Sequence, residues 1–242
     1  MSNARSAFFA GIRAELPILL GVIPFGIIYG ALALEAKLPA SAALAMSAII
    51  FAGSSQFISA QLFKDQAAWF VIVATVFVVN LRHMLYSASI QPHLAHLPQR
   101  WKWLLAYLLT DEAYAVAITK YNDDSEPTFK HWYFLGAGLA LWSTWQLSTL
   151  IGILLRSQAQ LDPALGLDFA IAITFIALVV PTLKDRAGTA AALMAGTTSV
   201  IAVSLAGLIP DPTIARSASS ISLIAATFVG IIVGVIIEGQ SK

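Results

Sequence analysis

Long apolar runs fill most of this chain, and each run is bounded by a short polar or proline-rich break. A run of about 20 apolar residues has the length of a helix that crosses the hydrocarbon core of a bilayer. Backbone groups find no water at that depth, so such runs are expected to be helical. The pattern predicts an all-α fold, a polytopic membrane helical bundle of about eight transmembrane segments, some of them broken. The predicted spans are residues 12–34, 41–62, 67–90, 101–119, 132–155, 165–183, 187–208 and 218–237.

The composition also indicates that the chain lies in a lipid bilayer. Charged residues make up 11% of the 242 residues and hydrophobic residues 58%, whereas soluble domains contain about 25% charged residues. Residues 1–242 are therefore predicted to form a single integral membrane transporter domain. The net charge of +1 suggests no nucleic-acid partner, and the lack of cysteine excludes disulfides and thiolate sites. We expect no cofactor, and the distribution of Lys and Arg between loops predicts that both termini are cytoplasmic.

Two adjacent carboxylates, Asp111 and Glu112, lie in the middle of the fourth apolar run. A carboxylate in hydrocarbon costs roughly 2.5–3.5 kcal/mol on insertion scales, so other helices must shelter this span. Acidic residues at that depth mark a pathway for a solute, an ion or a proton. On a continuous helix Tyr107, Asp111 and Tyr114 share one face, and Glu112 points about 100° away. The alternative is that both carboxylates are only salt-bridged inside the bundle.

Polar residues also interrupt the second and third runs. Asn80-Leu81-Arg82-His83 places an arginine within membrane depth, where the helix either continues or breaks. We expect Arg82 to pair with a carboxylate of the fourth span or to receive a substrate carboxylate; the alternative is an interfacial anchor. The stretch from Gly53 to Gln56 sets a glycine, two hydroxyls and an amide in sequence. Such segments are typical of discontinuous transporter helices.

Three other polar or small-residue patterns are interpreted as helix packing. Gly26-xxx-Gly30 in the first span allows two helices to approach closely. Gly196-Thr197-Thr198-Ser199 in the seventh span favours the same role over a helix break. The stripe in the fifth span has aromatic members, which more often pack than bind a ligand. This stripe consists of Trp142, Trp145, Gln146 and Thr149.

Catalytic interpretations are weak. An intramembrane serine protease needs a Ser–His pair, and Ser54 or Ser55 with His83 could supply one, but such residues are too common to carry that function. The sequence contains no HExxH motif, and His93 with His96 lacks a third metal ligand. We therefore predict that the protein is not an enzyme and holds no metal.

The motifs resemble those of one transporter family. Gly53-Ser54-Ser55-Gln56-Phe57, Asn80-Leu81-Arg82-His83-Met84-Leu85-Tyr86, Asp111-Glu112-Ala113-Tyr114-Ala115 and the stretch from Gly136 to Trp145 are similar to those of the AzlC (YgaZ-like) large subunits of bacterial branched-chain amino acid exporters. The resemblance covers essentially the whole chain. It implies a multi-pass inner-membrane exporter of valine, leucine, isoleucine and methionine. It also implies a proton-gradient drive and a small AzlD-like (YgaH-like) membrane subunit as partner.

The residue chemistry is compatible with that function. A zwitterion with an apolar side chain needs an acceptor for each charge and an apolar pocket, and a proton-driven exporter also needs a titratable carboxylate. The predicted proton-coupling residues are Asp111 and Glu112. The predicted substrate-binding residues are Gly53, Ser54, Ser55, Gln56, Asn80, Arg82, His83 and Tyr114. The alternative function is a channel, or a transporter of another small carboxylate-bearing solute.

A partner subunit has a physical argument as well. Glu112 points away from the face predicted for Asp111, and Glu15 lies near the start of the first span. At least one of these carboxylates is therefore expected to find its partner outside the chain.

Overall fold

The structure, a computed structural model, describes residues 3–123, 129–158, 180, 183 and 185–240. Within these residues the chain is built from α-helices. Their bounds are α1 Ala4–Glu35, α2 Ala40–Ile49, α3 Gly53–Lys64, α4 Trp69–Asn80, α5 Arg82–Leu94, α6 Gln99–Tyr107, α7 Asp111–Asp123, α8 Lys130–Gln158, α9 Arg186–Ala206 and α10 Pro212–Gln240. The helical membrane bundle predicted from the sequence is confirmed.

Apolar length accounts for several of the predicted spans. The described stretches Ala4–Glu35, Trp69–Leu94, Lys130–Ser157 and Arg186–Ala206 are each long and apolar enough to cross a membrane. The second and fourth predicted spans each correspond to two shorter helices, α2 with α3 and α6 with α7. Nearly all of the predicted span 165–183 lies outside the described residues. The count of eight therefore stays a prediction.

The chain divides into two compact units. The first unit comprises residues 1–58 and 79–161, and the second comprises residues 59–78 and 162–242. The core of the first unit is the packing of α1 against α8, with α2 and α7 also in contact with both. A single transporter domain over the whole chain stays a prediction.

Glycines set the close approach of α1 and α8, which we call the glycine seam. A Cβ atom added at Gly11 would lie 2.0 Å from the carbonyl oxygen of Tyr133, and one at Gly30 would lie 2.3 Å from that of Thr149. Residue numbers increase together along the contact, so the two helices run parallel. Gly26 approaches Ser148 in the same way, with an added Cβ 2.5 Å from its Cβ atom. The predicted packing role of Gly26-xxx-Gly30 is confirmed.

The helical path is interrupted at three points, each of them at residues of the first unit. The chain leaves helical geometry after Ile50, where Phe51 has a φ of 44°. It deviates at Leu81 alone between α4 and α5, so the helix continues past Arg82 with a local irregularity. It breaks again between Tyr107 and Asp111, and here Thr110 accepts a hydrogen bond from the backbone N–H of Ala113. Such a threonine cap, followed by acidic residues in the first turn, favours the start of a helix.

In the second unit, α9 and α10 pack against each other. The contact uses α10 glycines: a Cβ added at Gly230 would lie 3.0 Å from Ala195, and one at Gly234 would lie 3.3 Å from Ala191. By contrast, no described atom lies within 4 Å of a Cβ added at Gly196, so this glycine does not contribute to the contact with α10. The packing interpretation of the run at Gly196 stays a prediction. Large apolar side chains on both helices are exposed, as expected for surfaces that face lipid.

Candidate functional site

The three interruptions place three of the sequence motifs at one point of the first unit. Ser54, Arg82 and Asp111 each lie in the first turn of a helix, α3, α5 and α7 respectively. Nη1 of Arg82 lies 2.7 Å from Oδ2 of Asp111, and Nη2 of Arg82 donates to Oγ of Ser54 at 2.6 Å. We call these three residues the charged cluster. The prediction that Arg82 pairs with a carboxylate of the fourth span is confirmed.

The charged cluster is not fully hydrogen-bonded. Nε of Arg82 and Oδ1 of Asp111 are buried and have no hydrogen-bond partner within the described part of the chain. The two side chains are nevertheless 32% and 36% exposed. One strong donor and one strong acceptor of the cluster therefore lack a partner among the described residues. A buried polar atom left in this state is costly unless a ligand or water completes it.

Neighbouring residues brace the cluster. Oγ of Ser55 donates to Oδ1 of Asn80 at 2.7 Å, and this bond ties the start of α3 to the end of α4. Nδ1 of His83 lies 3.1 Å from the carbonyl oxygen of Asn80. Ser55 is fully buried, so its contribution is to hold the two interruptions together. The hydroxyls of Ser54 and Ser55 are engaged with Arg82 and Asn80, respectively.

Two tyrosines form an aromatic wall beside the cluster. The rings of Tyr86 and Tyr114 stack with their centroids 4.6 Å apart. The hydroxyl of Tyr114 donates to Oγ of Ser89 at 2.8 Å, and Tyr86 interacts electrostatically with Asp111. An aromatic face next to a charged pair suits a solute with an apolar body and a charged end.

The predicted common face of Tyr107, Asp111 and Tyr114 is wrong, because the helix is broken between the first two residues. The hydroxyl of Tyr107 instead bonds to the carbonyl oxygen of Ala48 and accepts from Nε1 of Trp142 at 2.7 Å. Glu112 follows Asp111 in the first turn of α7, and its side chain is only partly exposed. Its carboxylate interacts electrostatically with that of Glu15, which is fully buried. Glu15 is therefore sheltered within the chain, and the expectation that at least one of the two carboxylates finds its partner outside the chain stays a prediction.

Gln56 belongs to a separate buried network, together with Ser47, Trp145 and Thr149. Nε2 of Gln56 donates to Oγ of Ser47 at 2.9 Å, and Oε1 of Gln56 accepts from Nε1 of Trp145 at 3.1 Å. Oγ of Ser47 lies 2.9 Å from Oγ1 of Thr149. We call these four residues the serine–glutamine network. Its position explains the aromatic stripe of α8, which packs as predicted.

Gly53 joins this part of the unit rather than the charged cluster. A Cβ atom added at Gly53 would lie 3.0 Å from the ring of Trp145, so the residue permits a close approach. Tyr29 stacks with the same ring, with centroids 6.1 Å apart. Sequence reasoning missed Ser47 and Tyr29. The one available signal was a lone hydroxyl, Ser47, within an apolar run.

Comparison with known proteins decides the family. The model of the AzlC protein family matches residues 17–158. The chain belongs to the AzlC family. The matched residues include every member of the charged cluster and of the serine–glutamine network, and they end before α9 and α10.

Relatives of this AzlC-family chain are named as membrane or transport proteins. A membrane protein of Archaeoglobus fulgidus is 31% identical over 76% of this chain and 80% of its own length. The inner membrane protein YgaZ of Escherichia coli is 29% identical over 66% of this chain and 68% of its own. The branched-chain amino acid transport protein AzlC of Bacillus subtilis is 26% identical over 74% of this chain and 70% of its own. No solved structure matches the chain. The protein is thus a multi-pass membrane protein associated with amino-acid transport.

Proposed function

We propose that this protein exports methionine and the branched-chain amino acids valine, leucine and isoleucine across the inner membrane. The name of the Bacillus subtilis relative supports the substrate class, and that of the Escherichia coli relative supports the membrane. The observation that carries the proposal is the pair of unsatisfied atoms in the charged cluster, Nε of Arg82 and Oδ1 of Asp111.

A zwitterion matches that pair. The substrate carboxylate accepts from the Arg82 guanidinium, whose planar fork suits a carboxylate, and the substrate ammonium donates to Asp111. The substrate then replaces part of the Arg82–Asp111 ion pair, so each charge is compensated in both states. The rings of Tyr86 and Tyr114 supply an apolar wall for the side chain of the amino acid.

Coupling to the proton gradient is assigned to Asp111 and Glu112. Asp111 changes partner when substrate binds, and Glu112 is its neighbour in the first turn of α7. A change of partner at one carboxylate alters the electrostatic environment of the other. Export against a concentration gradient follows if this change is tied to proton uptake and release.

A small AzlD-like (YgaH-like) membrane subunit completes the proposed transporter. The family resemblance supports this partner. The described residues also leave large apolar side chains exposed on α4 and α9, among them Phe77 and Leu193. Lipid and a second membrane protein are both able to cover such surfaces.

Counterflow of labelled leucine in proteoliposomes, with and without the small subunit, tests the proposal. Valine, isoleucine and methionine should compete with leucine, whereas its keto acid and its amine, each with one charge, should compete poorly. Equal competition by the keto acid would favour the alternative, a transporter of small carboxylates. Uptake without counterflow or proton coupling would indicate a channel.

A further inference from the structure

We propose that Glu15 and Glu112 together form the proton-binding site of the transporter, an inference that rests on the proposed proton-driven function. The pair lies between α1 and α7, next to the charged cluster and separate from it. Arg82 and Asp111 contact the substrate, while Glu15 and Glu112 hold the proton.

Glu15 is the most isolated carboxylate in the described structure. Its side chain is 0% exposed, and both of its oxygen atoms lack a hydrogen-bond partner among the described residues. An ionised carboxylate in such surroundings is unfavourable by several kcal/mol, and binding a proton removes the charge. No structural role in the described unit uses this carboxylate, since it neither caps a helix nor joins two elements.

Among the described residues, the groups that face Glu15 offer no compensating cation. Glu112 approaches from α7, and Tyr133 approaches from α8. The third element packed against α1, α2, contains no titratable residue. Lys130, at the start of α8, is engaged with the carbonyl oxygen of Tyr121 at 3.2 Å.

Charge balance then requires protons. Asp111, Glu112 and Glu15 form a series of electrostatically interacting carboxylates, and Arg82 is the cation that acts on this series. Arg82 compensates Asp111 through their direct ion pair. Full ionisation would leave Glu15 and Glu112 as two uncompensated charges within the membrane, where their repulsion is strong. One or two protons on the pair remove this imbalance.

The pair is also placed to sense the substrate. Glu112 follows Asp111 directly in the sequence, so a change in the position of Asp111 on substrate binding moves Glu112 as well. Glu15 is held on α1 by the glycine seam. The distance between the two carboxyl groups therefore changes with the state of the charged cluster, and with it the affinity for the proton. In each cycle the pair takes up a proton from the more acidic side and releases it to the other.

Two measurements test the proposal. Dicyclohexylcarbodiimide reacts with protonated carboxyl groups in apolar surroundings, and peptide mapping of the wild-type protein shows where it reacts. We expect labelling of Glu15 at neutral pH, with Glu35 at the end of the same helix unlabelled. An unlabelled Glu15 would overturn the proposal, and protection of Glu15 by sodium ions would show that the site binds that cation instead.

The second measurement compares Glu15→Gln with the control Glu35→Gln in proteoliposomes. Glutamine imitates the protonated acid, so leucine counterflow should stay within about twofold of wild type while gradient-driven export falls about tenfold or more. Retained gradient-driven export would refute the proton role, and loss of counterflow in a monodisperse, folded variant would show a structural role only. If the wild-type protein moves no leucine, the proposed function fails, yet the labelling still decides whether Glu15 binds a proton.

Discussion

The serine–glutamine network and the charged cluster lie in the same unit and differ in how completely their polar atoms are paired. In the network, the amide of Gln56 is bonded at both ends, to Ser47 and to Trp145. In the charged cluster, Arg82 and Asp111 are bonded to each other, yet each retains a buried atom without a partner. The network is buried, whereas the charged side chains are about one third exposed, at 32% and 36%.

We propose that this difference separates a structural role from a substrate-binding role. A fully satisfied buried network fixes the positions of the elements that contribute to it, because any movement leaves several polar atoms unpaired. An incompletely paired ion pair is able to accept a ligand that supplies the missing donor and acceptor. The network thus holds α2, α3 and α8 in place, and the charged cluster is free to exchange partners.

Arg82→Lys is expected to have the largest effect on transport. Lysine retains the charge but loses the fork that contacts Asp111 and Ser54 at once, and a hydrogen bond to a charged group contributes about 1.5–3 kcal/mol. Leucine counterflow should therefore fall roughly 10- to 100-fold, nearly as far as in Arg82→Ala. Arg100→Lys, at an exposed position, is the matched control. A fully active Arg82→Lys protein would indicate that Arg82 is only an interfacial anchor.

Asp111→Asn should separate binding from coupling. Asparagine keeps the size of the side chain and one acceptor for the substrate ammonium, but it cannot exchange charge with Arg82. Gradient-driven export should be abolished, while leucine counterflow persists at a reduced rate. Asp123→Asn, at the exposed end of the same helix, controls for the substitution itself. Export at the wild-type rate in Asp111→Asn would remove this residue from the coupling mechanism.

Ser47→Ala should affect stability rather than transport. The substitution leaves the amide of Gln56 and the hydroxyl of Thr149 without their shared partner, a loss of about 1–3 kcal/mol in the free energy of unfolding. Thermal unfolding in detergent should show a lower midpoint, with Ser6→Ala as the exposed control. The KM for leucine in the folded fraction should match that of wild type. A changed KM with an unchanged midpoint would mean that the network contacts the substrate.

Ser54→Ala is expected to have the smallest effect. Ser54 accepts a hydrogen bond from Arg82 but carries no charge of its own, so its loss should raise the KM for leucine by about fivefold, equivalent to about 1 kcal/mol. The maximal rate should change little. Ser89→Ala, which removes the hydroxyl bonded to Tyr114, tests the aromatic wall in the same assay. An unchanged KM in Ser54→Ala would show that Asp111 alone orients the guanidinium.

The sequence was sufficient to predict the membrane class, the break near Gly53 and the pairing of Arg82 with the fourth span. Long apolar runs indicate a membrane protein, and a glycine followed by polar residues is typical of a discontinuous helix. An arginine at membrane depth needs a carboxylate to compensate its charge. The break before Asp111 was missed, although Thr110 followed by two acidic residues is a recognisable helix start. The serine–glutamine network was beyond reach for a different reason. Ser47 and Thr149 are 102 residues apart in the sequence. Helical periodicity predicts the face of the helix on which a residue lies, but it does not predict which residue of another helix it contacts.

Glu15 shows a second limit. The sequence indicates a carboxylate near the start of an apolar span, and an outward orientation toward a partner is one of two ways to shelter it. The packing of α1 against α8 and α7 decides for the inward orientation. The inward orientation of Glu15 depends on glycines that let the helices approach closely. Gly11 is one of them, since a Cβ added there would lie 2.0 Å from the carbonyl oxygen of Tyr133.

The glycine seam also limits how this transporter can move. Added Cβ atoms at Gly30 and Gly152 would lie 2.3 and 2.1 Å from backbone oxygens of the opposite helix, so the two backbones are in direct contact over much of their length. Surfaces this close lose many favourable contacts at once if they slide or separate. We therefore expect α1 and α8 to move as one rigid body during the transport cycle. The proposed substrate site would then open to alternate sides of the membrane through bending at the interrupted helices, so the hinge residues lie next to the proposed substrate-binding residues.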